Sequence, residues 1–318
     1  MRAHHPARLR TSLDTASGQR LTGPVSLTSD EIHGQPEAWA RAARDGVVAP
    51  FPEAGSRVLV VGCGTSAFVA EAMTRLREGR GQGRTDWAYA SELPVGRSYE
   101  HLVAVTRSGT TTEVLQALSS EVAVGAKLTC VTAVPGTTVP DRCDQVVDLS
   151  YADEASIVQT RFPTTALVHW RAALGEDLLP VLDDGREAVS TPLPVDVAAY
   201  DHFVFLGRGW TIGLAHEAAL KMRECAQAWS ESYPALDYRH GPIAVAGAST
   251  LVVSLGGVDD DLLSDVRATG ATVLDDGRDP LARLITCQRL AVTAAGLRGL
   301  DVDRPRNLTR SVILEETR

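Results

Sequence analysis

The 318-residue chain is poor in aromatic residues, at 5%, so small aliphatic side chains must do most of the packing. It has no surplus of positive charge. Lys and Arg total 31 against 40 Asp and Glu, a net charge of -9. That argues against a dedicated nucleic-acid binder, which needs clustered basic charge. It does not exclude a local anion site, because net charge says nothing about one loop. Cysteines number five, an odd count, and none is spaced Cys-x-x-Cys, so neither a disulfide framework nor a zinc ribbon is indicated. A reducing compartment fits, and the cytoplasm is the expected location. No apolar run approaches the roughly 18 residues of a membrane helix. The basic, polar stretch Met1–Gly23 lacks the apolar segment of a signal peptide. Residues 1–28 read as a flexible arm.

What is present is a chain that can build cores: 44% of residues are hydrophobic and 22% charged. The length corresponds to about two domains at roughly 150 residues each. Ser29-Asp30-Glu31 resembles a helix cap, with a first helix expected over Ile32–Val48. Short β-branched runs follow at Arg57–Val61, Trp87–Ser91, His101–Val105, Lys127–Thr132 and Gln145–Leu149. Helical stretches are expected at Ala67–Glu78, Glu113–Val124 and Thr160–Leu182. Strand, loop and helix in repetition predict a doubly wound α/β sheet.

A Pro-, Asp- and Gly-rich segment, 183–196, reads as a linker, after which the pattern restarts. Phe203–Thr211 mirrors Leu59–Ser66, with Gly62 and Gly207, Gly64 and Gly209, and Ser66 and Thr211 each 145 positions apart. Thr250–Leu255 echoes His101–Val105. The expected architecture is therefore an internal duplication: two tandem, doubly wound, parallel-sheet domains at 29–182 and 197–318.

Two loops in the first copy follow strands and open helices. Gly62–Ser66 supplies two glycines and two hydroxyls, and Thr106–Thr112 supplies five hydroxyl residues around Gly109. One residue suffices to cap a helix, so the second loop has more donors than capping requires. Exposed N–H groups at a helix start, glycine and hydroxyls together suit a phosphate. Gly62-Cys63-Gly64-Thr65-Ser66-Ala67 also fits a dinucleotide fingerprint, but no acidic residue ends the second strand where such a site needs one. Asp86 precedes that strand rather than ending it, and Glu92 lies too far on. No cofactor is expected.

On the helical segment Gly209–Trp229, Glu217, Lys221 and Glu224 fall within about 60° of one another. Leu214, Ala218 and Cys225 flank the stripe on one side and Leu220 on the other, while His216, Arg223 and Gln227 form the expected solvent face. Two carboxylates and an amine in an apolar setting favour a cleft with shifted pKa values over a surface i,i+4 pair. Asp237–Pro242 is a loop whose His240 suits proton transfer near neutral pH.

These residues resemble the double sugar-isomerase (SIS) domain family, in particular the isomerase half of glucosamine-6-phosphate synthases and stand-alone amino-sugar-phosphate deaminases and isomerases. The matching segments are VVGCGTS (60–66), VTRSGTTTEVL (105–115), SIVQTRFPTT (156–165), HEAALKMRECAQAWSESY (216–233), YRHGPIAV (238–245) and DVDRPRNLTRSVILE (301–315). The resemblance implies a sugar phosphate bound by Ser66, Thr106, Ser108 and Thr111, with Thr65 nearby and Gln159 in the third segment. It implies that Glu224 moves a proton between C1 and C2, with Glu217 and Lys221 as its helix neighbours. It implies that His240 assists ring opening from the neighbouring subunit, hence a homodimer, and that no metal is used.

Two departures are expected to matter. The family's glutaminase step needs an N-terminal cysteine, whereas this chain begins Met1-Arg2. Arg310 falls where the synthases carry a Schiff-base lysine; arginine stays protonated and cannot form the imine, although it can hold substrate by charge. Lys221 is the one conceivable substitute. The expected reaction is deamination with isomerisation, glucosamine 6-phosphate to fructose 6-phosphate and ammonia. Fructosamine-6-phosphate deglycation and aldose–ketose isomerisation are alternatives within the class. A non-catalytic sugar-phosphate sensor is the alternative from another class. No nucleic acid and no membrane are expected as partners.

Overall fold

Parallel strands, each leading into a helix, dominate the computed structural model, which describes residues 26–314. Two short helices, α1 (Leu27–His33) and α2 (Gln35–Asp45), come first. The first sheet follows: β1 (Val58–Gly62), α3 (Thr65–Gly79), β2 (Thr85–Tyr89), β3 (His101–Val105), α4 (Thr112–Leu118), β4 (Lys127–Thr132) and β5 (Gln145–Asp148). Its strand order is β2-β1-β3-β4-β5, parallel throughout. Helices α5 (Arg161–Ala173) and α6 (Leu179–Ser190) lead to the second half. That half comprises β6 (His202–Gly207), α7 (Thr211–Ala226), β7 (Trp229–Pro234), β8 (Thr250–Ser254), α8 (Asp260–Ala268), β9 (Thr272–Leu274) and α9 (Pro280–Leu297). Its sheet is again parallel, ordered β7-β6-β8-β9.

The first four strands of the one sheet and the four of the other follow the same order, β5 having no counterpart, and the 145-residue offset has a steric basis. A Cβ on Gly62 would lie 2.5 Å from the Ser66 carbonyl carbon, and one on Gly207 would lie 2.5 Å from that of Thr211. In both copies the helix start folds back onto the strand end, and only glycine admits it. Gly64 and Gly209 then turn with φ of +53° and +57°.

Several boundaries differ from the sequence expectation. The first helix is two helices, because Pro36 starts a new one rather than continuing the old. Its cap is Ser26, whose side chain accepts from the Ser29 N–H. The expected flexible arm lies outside the described residues up to position 25. Its last residues are not free: the Asp303 carboxylate accepts from the N–H of Leu27 and of Thr28 and from the Thr28 hydroxyl, at 2.8–3.0 Å. The second strand lies two residues earlier than expected. The helix expected over 113–124 stops at Leu118 and gives way to a 3-10 turn at Glu121–Ala123. The segment expected as a linker carries most of α6, on which Gly185 lets the Trp39 ring approach closely. Strands β7 and β9 and helices α8 and α9 carried no sequence expectation.

The two halves share one core. Trp39, Phe162, Phe203 and Leu290 belong to a single buried apolar cluster. Helix α9 is buried along most of its length, and a Cβ on Gly213 of α7 would overlap the Phe68 carbonyl of α3. That close approach fixes where the side chains of α7 meet the first sheet's loops.

Candidate active site

The loops after β1 and β3 sit at the carboxyl ends of adjacent strands, where the strand order reverses. This is the crevice in which open α/β sheets bind ligands. A small cavity of about 30 Å³ occupies it. Ser66 from the first loop and Thr106, Ser108 and Thr111 from the second line it, as do Gln159 and Arg310. All six were singled out from the sequence, and the fold gathers them from four separate segments. Cys63 also lines it, its thiol pushed up to about 11 by burial and by the nearby Glu113 carboxylate.

The loop's own bonds define its shape. Thr106 Oγ1 accepts from the Gly109 N–H, and Ser108 Oγ accepts from Thr110 Oγ1 at 3.2 Å. Gly109 turns at φ +66°, and a Cβ there would overlap the Thr137 hydroxyl. The Gln159 side-chain oxygen is buried without a hydrogen-bond partner. A ligand hydroxyl or ammonium reaching it would find a ready acceptor.

Arg107 was passed over in the sequence, where it reads as one charged residue inside a hydroxyl run. It is 2% exposed and lines the cavity. It donates to the carbonyls of Ser156, Ile157 and Arg310 at 3.0–3.1 Å, with Glu154 at 3.9 Å. One guanidinium therefore ties the loop after β3 to the segment before α5 and to the C-terminal strap. Glu154 in turn accepts from the N–H groups of Thr160, Arg161 and Phe162, holding the first turn of α5 in place. Arg310 is anchored by Asp153 Oδ1 at 2.5 Å and by the Glu154 carbonyl. The strap continues across the loop: Ser108 Oγ donates to Ser311 Oγ at 3.1 Å and the Thr112 N–H to the Val312 carbonyl at 3.3 Å.

The charged stripe on α7 is buried, as its apolar flanks imply. Glu217 and Lys221 are each 1% exposed, and Glu224 is half-buried. Lys221 Nζ lies 3.3 Å from Glu217 Oε1, donates to Glu224 Oε2 and donates to Thr65 Oγ1 at 3.2 Å. Burial raises Glu217 to about 7 against the pull of Lys221. Burial opposes the charge on Lys221, but the two carboxylates outweigh it and raise its pKa above the ordinary range. The amine is thus held protonated, which works against the imine-forming role that needs a neutral amine.

Of the face expected to meet solvent, Arg223 and Gln227 are exposed but His216 is not. Its ring bonds Ser232 Oγ at 2.9 Å and lies 3.7 Å from Glu71, because α7 leans on α3 along this side. His240 is exposed at the end of a 3-10 turn, Ala235–His240, and lines neither this cavity nor the next.

A second cavity, about 430 Å³, opens at the C-terminal end of α7 and takes in Glu224, Arg223, Gln227 and the strap residues Arg306 and Asn307. Two stretches of the chain run from its wall towards the first cavity. The strap passes from Asn307 to Arg310, and the bonded series Glu224–Lys221–Thr65 ends beside Ser66. An anion pocket and a carboxylate thus stand at the two ends of one short path.

No protein-family model matches the chain. It is 29% identical to a glutamine–fructose-6-phosphate aminotransferase (isomerizing) of Symbiobacterium thermophilum, over 96% of this chain and 57% of that protein. It is 31% identical to the Thermus thermophilus protein of the same name, over 83% of this chain and 53% of the relative. The chain spans about half the length of the curated relatives it matches. Among solved structures, the fold is similar to glucosamine-6-phosphate deaminase from Thermotoga maritima, with TM-score 0.78 and 26% identity over 91% of this chain and 100% of that one. It also shares the fold of tagatose-6-phosphate ketose/aldose isomerase from Escherichia coli, with TM-score 0.72 and 20% identity over 94% of this chain and 100% of that one.

Proposed function

We propose that the chain is an SIS-type sugar-phosphate enzyme that moves a proton between C1 and C2 of an amino-sugar phosphate and releases its amine. The parent reaction is glucosamine 6-phosphate to fructose 6-phosphate and ammonia. The observation that carries this reading is the bonded series from Glu224 through Lys221 to Thr65, next to Ser66. It links the Glu224 carboxylate, through one amine, to the residue next to the hydroxyl-rich pocket. Similarity to proteins named as a glucosamine-6-phosphate deaminase and as isomerizing aminotransferases supports the same class.

In this mechanism Ser66, Thr106, Ser108 and Thr111 hold the phosphate, with Arg310 and the buried Arg107 adding positive charge. His240, supplied by a neighbouring copy of the chain, opens the ring. Glu224 takes the proton from C2, and the electron pair forms an enolamine between C1 and C2. The same carboxylate returns the proton to C1, leaving an imine at C2. Water adds there and ammonia departs. Lys221, kept as a cation by Glu217 and Glu224, stabilises the negative charge that develops on oxygen at C1.

The test is ammonia release from glucosamine 6-phosphate by the purified chain, with Glu224→Gln beside it. Turnover should fall by about 100-fold or more in the variant, while the thermal shift produced by the sugar phosphate persists. Equal turnover by the two proteins rules out Glu224 as the proton carrier. A thermal shift without any product from wild type favours a sensor. Conversion of an aldose to a ketose phosphate without ammonia favours a plain isomerase.

A further inference from the structure

Glu31 reads from the sequence as part of a helix cap, yet the cap of α1 is Ser26. Glu31 is 6% exposed, and its carboxylate serves a segment 124 and 125 residues further along the chain. Its Oε1 accepts from the Ala155 N–H at 2.5 Å and from the Ser156 N–H at 3.2 Å, and its Oε2 accepts from the Ser156 hydroxyl. Burial, with the nearby Glu154 carboxylate, raises its pKa against the pull of these bonds. A carboxylate in such a place is costly unless its bonds are needed.

The segment it holds has no helix or strand of its own between the 3-10 turn Ser150–Ala152 and the start of α5. Side chains fix its course instead. Glu154 closes it, accepting from the N–H groups of Thr160 and Arg161 at 2.6 and 2.7 Å. Arg107 donates to the carbonyls of Ser156 and Ile157. Ser156 is thus gripped at once by its N–H, its hydroxyl and its carbonyl. Three residues on, Gln159 lines the anion pocket. Arg107 spends both Nη groups on carbonyls, and its buried Nε has no hydrogen-bond partner among the described residues. Where those carbonyls lie therefore decides how this guanidinium stands in the pocket wall.

We infer that Glu31 is a positioning residue for the sugar-phosphate pocket: by fixing the backbone of Ala155 and Ser156 it sets Arg107 and Gln159 against the loop after β3. The inference rests on reading that pocket as the phosphate site. Glu31 acts through backbone bonds, so the reach of its oxygens matters and its charge does not. Two variants separate these. Glu31→Asp keeps the charge but withdraws the oxygens by one methylene. Glu31→Gln loses the charge, but its amide oxygen can still accept from both N–H groups. The Ser156 hydroxyl can then donate to the Val158 carbonyl, 2.8 Å away, and accept from the amide.

The experiment titrates inorganic phosphate and glucosamine 6-phosphate into the full chain by calorimetry, with melting temperatures and ammonia release measured beside it. Glu31→Asp should weaken both ligands by about tenfold. It should raise KM in proportion, while kcat changes less than about twofold. Glu31→Gln should bind within about threefold of wild type. In an Arg107→Lys background, Glu31→Asp should add less than about threefold, because both substitutions act on one stretch of backbone. A lower melting temperature in Glu31→Asp with unchanged affinity overturns the inference and leaves Glu31 a stabilising residue only. Equal losses in Glu31→Asp and Glu31→Gln overturn it in favour of charge, and an undiminished loss in the Arg107→Lys background overturns the route through Arg107. Each of these leaves the pocket reading intact. Wild type that binds neither ligand overturns the pocket reading and this inference with it.

Discussion

Glu217 shows how one buried side chain makes the protein sensitive to pH. Its carboxyl has a folded pKa of about 7 against an ordinary 4.5, because burial penalises the charged form more than Lys221 favours it. Its contribution to stability is therefore complete below about pH 4.5 and is lost as the pH rises through 7. Glu217→Gln removes that loss. The melting temperature of the variant relative to wild type should rise between pH 5 and pH 8, an effect on the order of 3 kcal/mol or less. Parallel profiles would mean that Glu217 is ionised throughout. Arg107 behaves differently. Burial lowers its pKa, and it holds three backbone carbonyls, with the Glu154 carboxylate at 3.9 Å. Arg107→Lys keeps the charge but loses the fork. It should weaken sugar-phosphate binding by about tenfold, since Lys cannot reach all three acceptors at once, as titration calorimetry would read.

Two elements set the distance between the anion pocket and Glu224. One is the loop after β3, whose turn depends on Gly109. Gly109→Ala must adopt φ +66° and displace Thr137. The expected cost is about 1–3 kcal/mol, together with loss of sugar-phosphate binding; urea unfolding and a binding titration would measure the two. The other is the crossing of α3 and α7 at Gly213. A side chain there pushes α7 away from Phe68 and Ala72 and pulls Lys221 from Thr65. Gly213→Val should cost about 1–3 kcal/mol by overpacking. It should also reduce turnover more than substrate affinity, because the phosphate loops belong to the first sheet alone. Unchanged kcat in a destabilised Gly213→Val would separate the crossing from catalysis.

At the scale of the molecule, the duplicated halves have diverged in the chemistry of their loops. The first half offers hydroxyls after β3, while after β8 Asp259 caps α8 and Asp260 and Asp261 stand in its first turn, and Arg208 pairs with Asp259. An anion is favoured in one crevice only, and the second half contributes α7 instead. His240 is exposed and lines neither cavity; the proposed function assigns it to a neighbouring subunit's site. If so, Glu224→Gln and His240→Asn, each inactive alone, should complement each other when co-expressed. Random pairing gives half hybrid dimers with one intact site apiece, hence about a quarter of wild-type activity. No recovery would place His240 in its own subunit's site or outside catalysis.

Much of this was legible in the sequence because it is local. β-branched runs ending in Gly-x-Gly, the repeat at a constant offset and the hydroxyl cluster around Gly109 all express strand, turn and cap preferences within a few residues. Period 3.6 alone placed Glu217, Lys221 and Glu224 on one face of α7, and their apolar neighbours signalled burial. The boundaries that moved did so where a local signal competed with packing: Pro36 split the first helix, and the apolar face of α6 met Trp39 and turned a polar, Pro-rich segment into helix.

What only the tertiary structure decided was which distant residues share a space. His216 lies on the polar side of its helix, yet it faces Glu71 because α3 packs there. Arg107 looks like surface charge until three carbonyls, 49 to 203 residues away, converge on it. Arg306 and Asn307 lie in the segment 301–315 and Gln227 in 216–233, and they meet only because the C-terminal strap crosses the end of α7. Sequence patterns encode the faces of single elements; the meeting of side chains across elements depends on crossing geometry, which close contacts such as Gly213 against Phe68 fix only once the chain has folded.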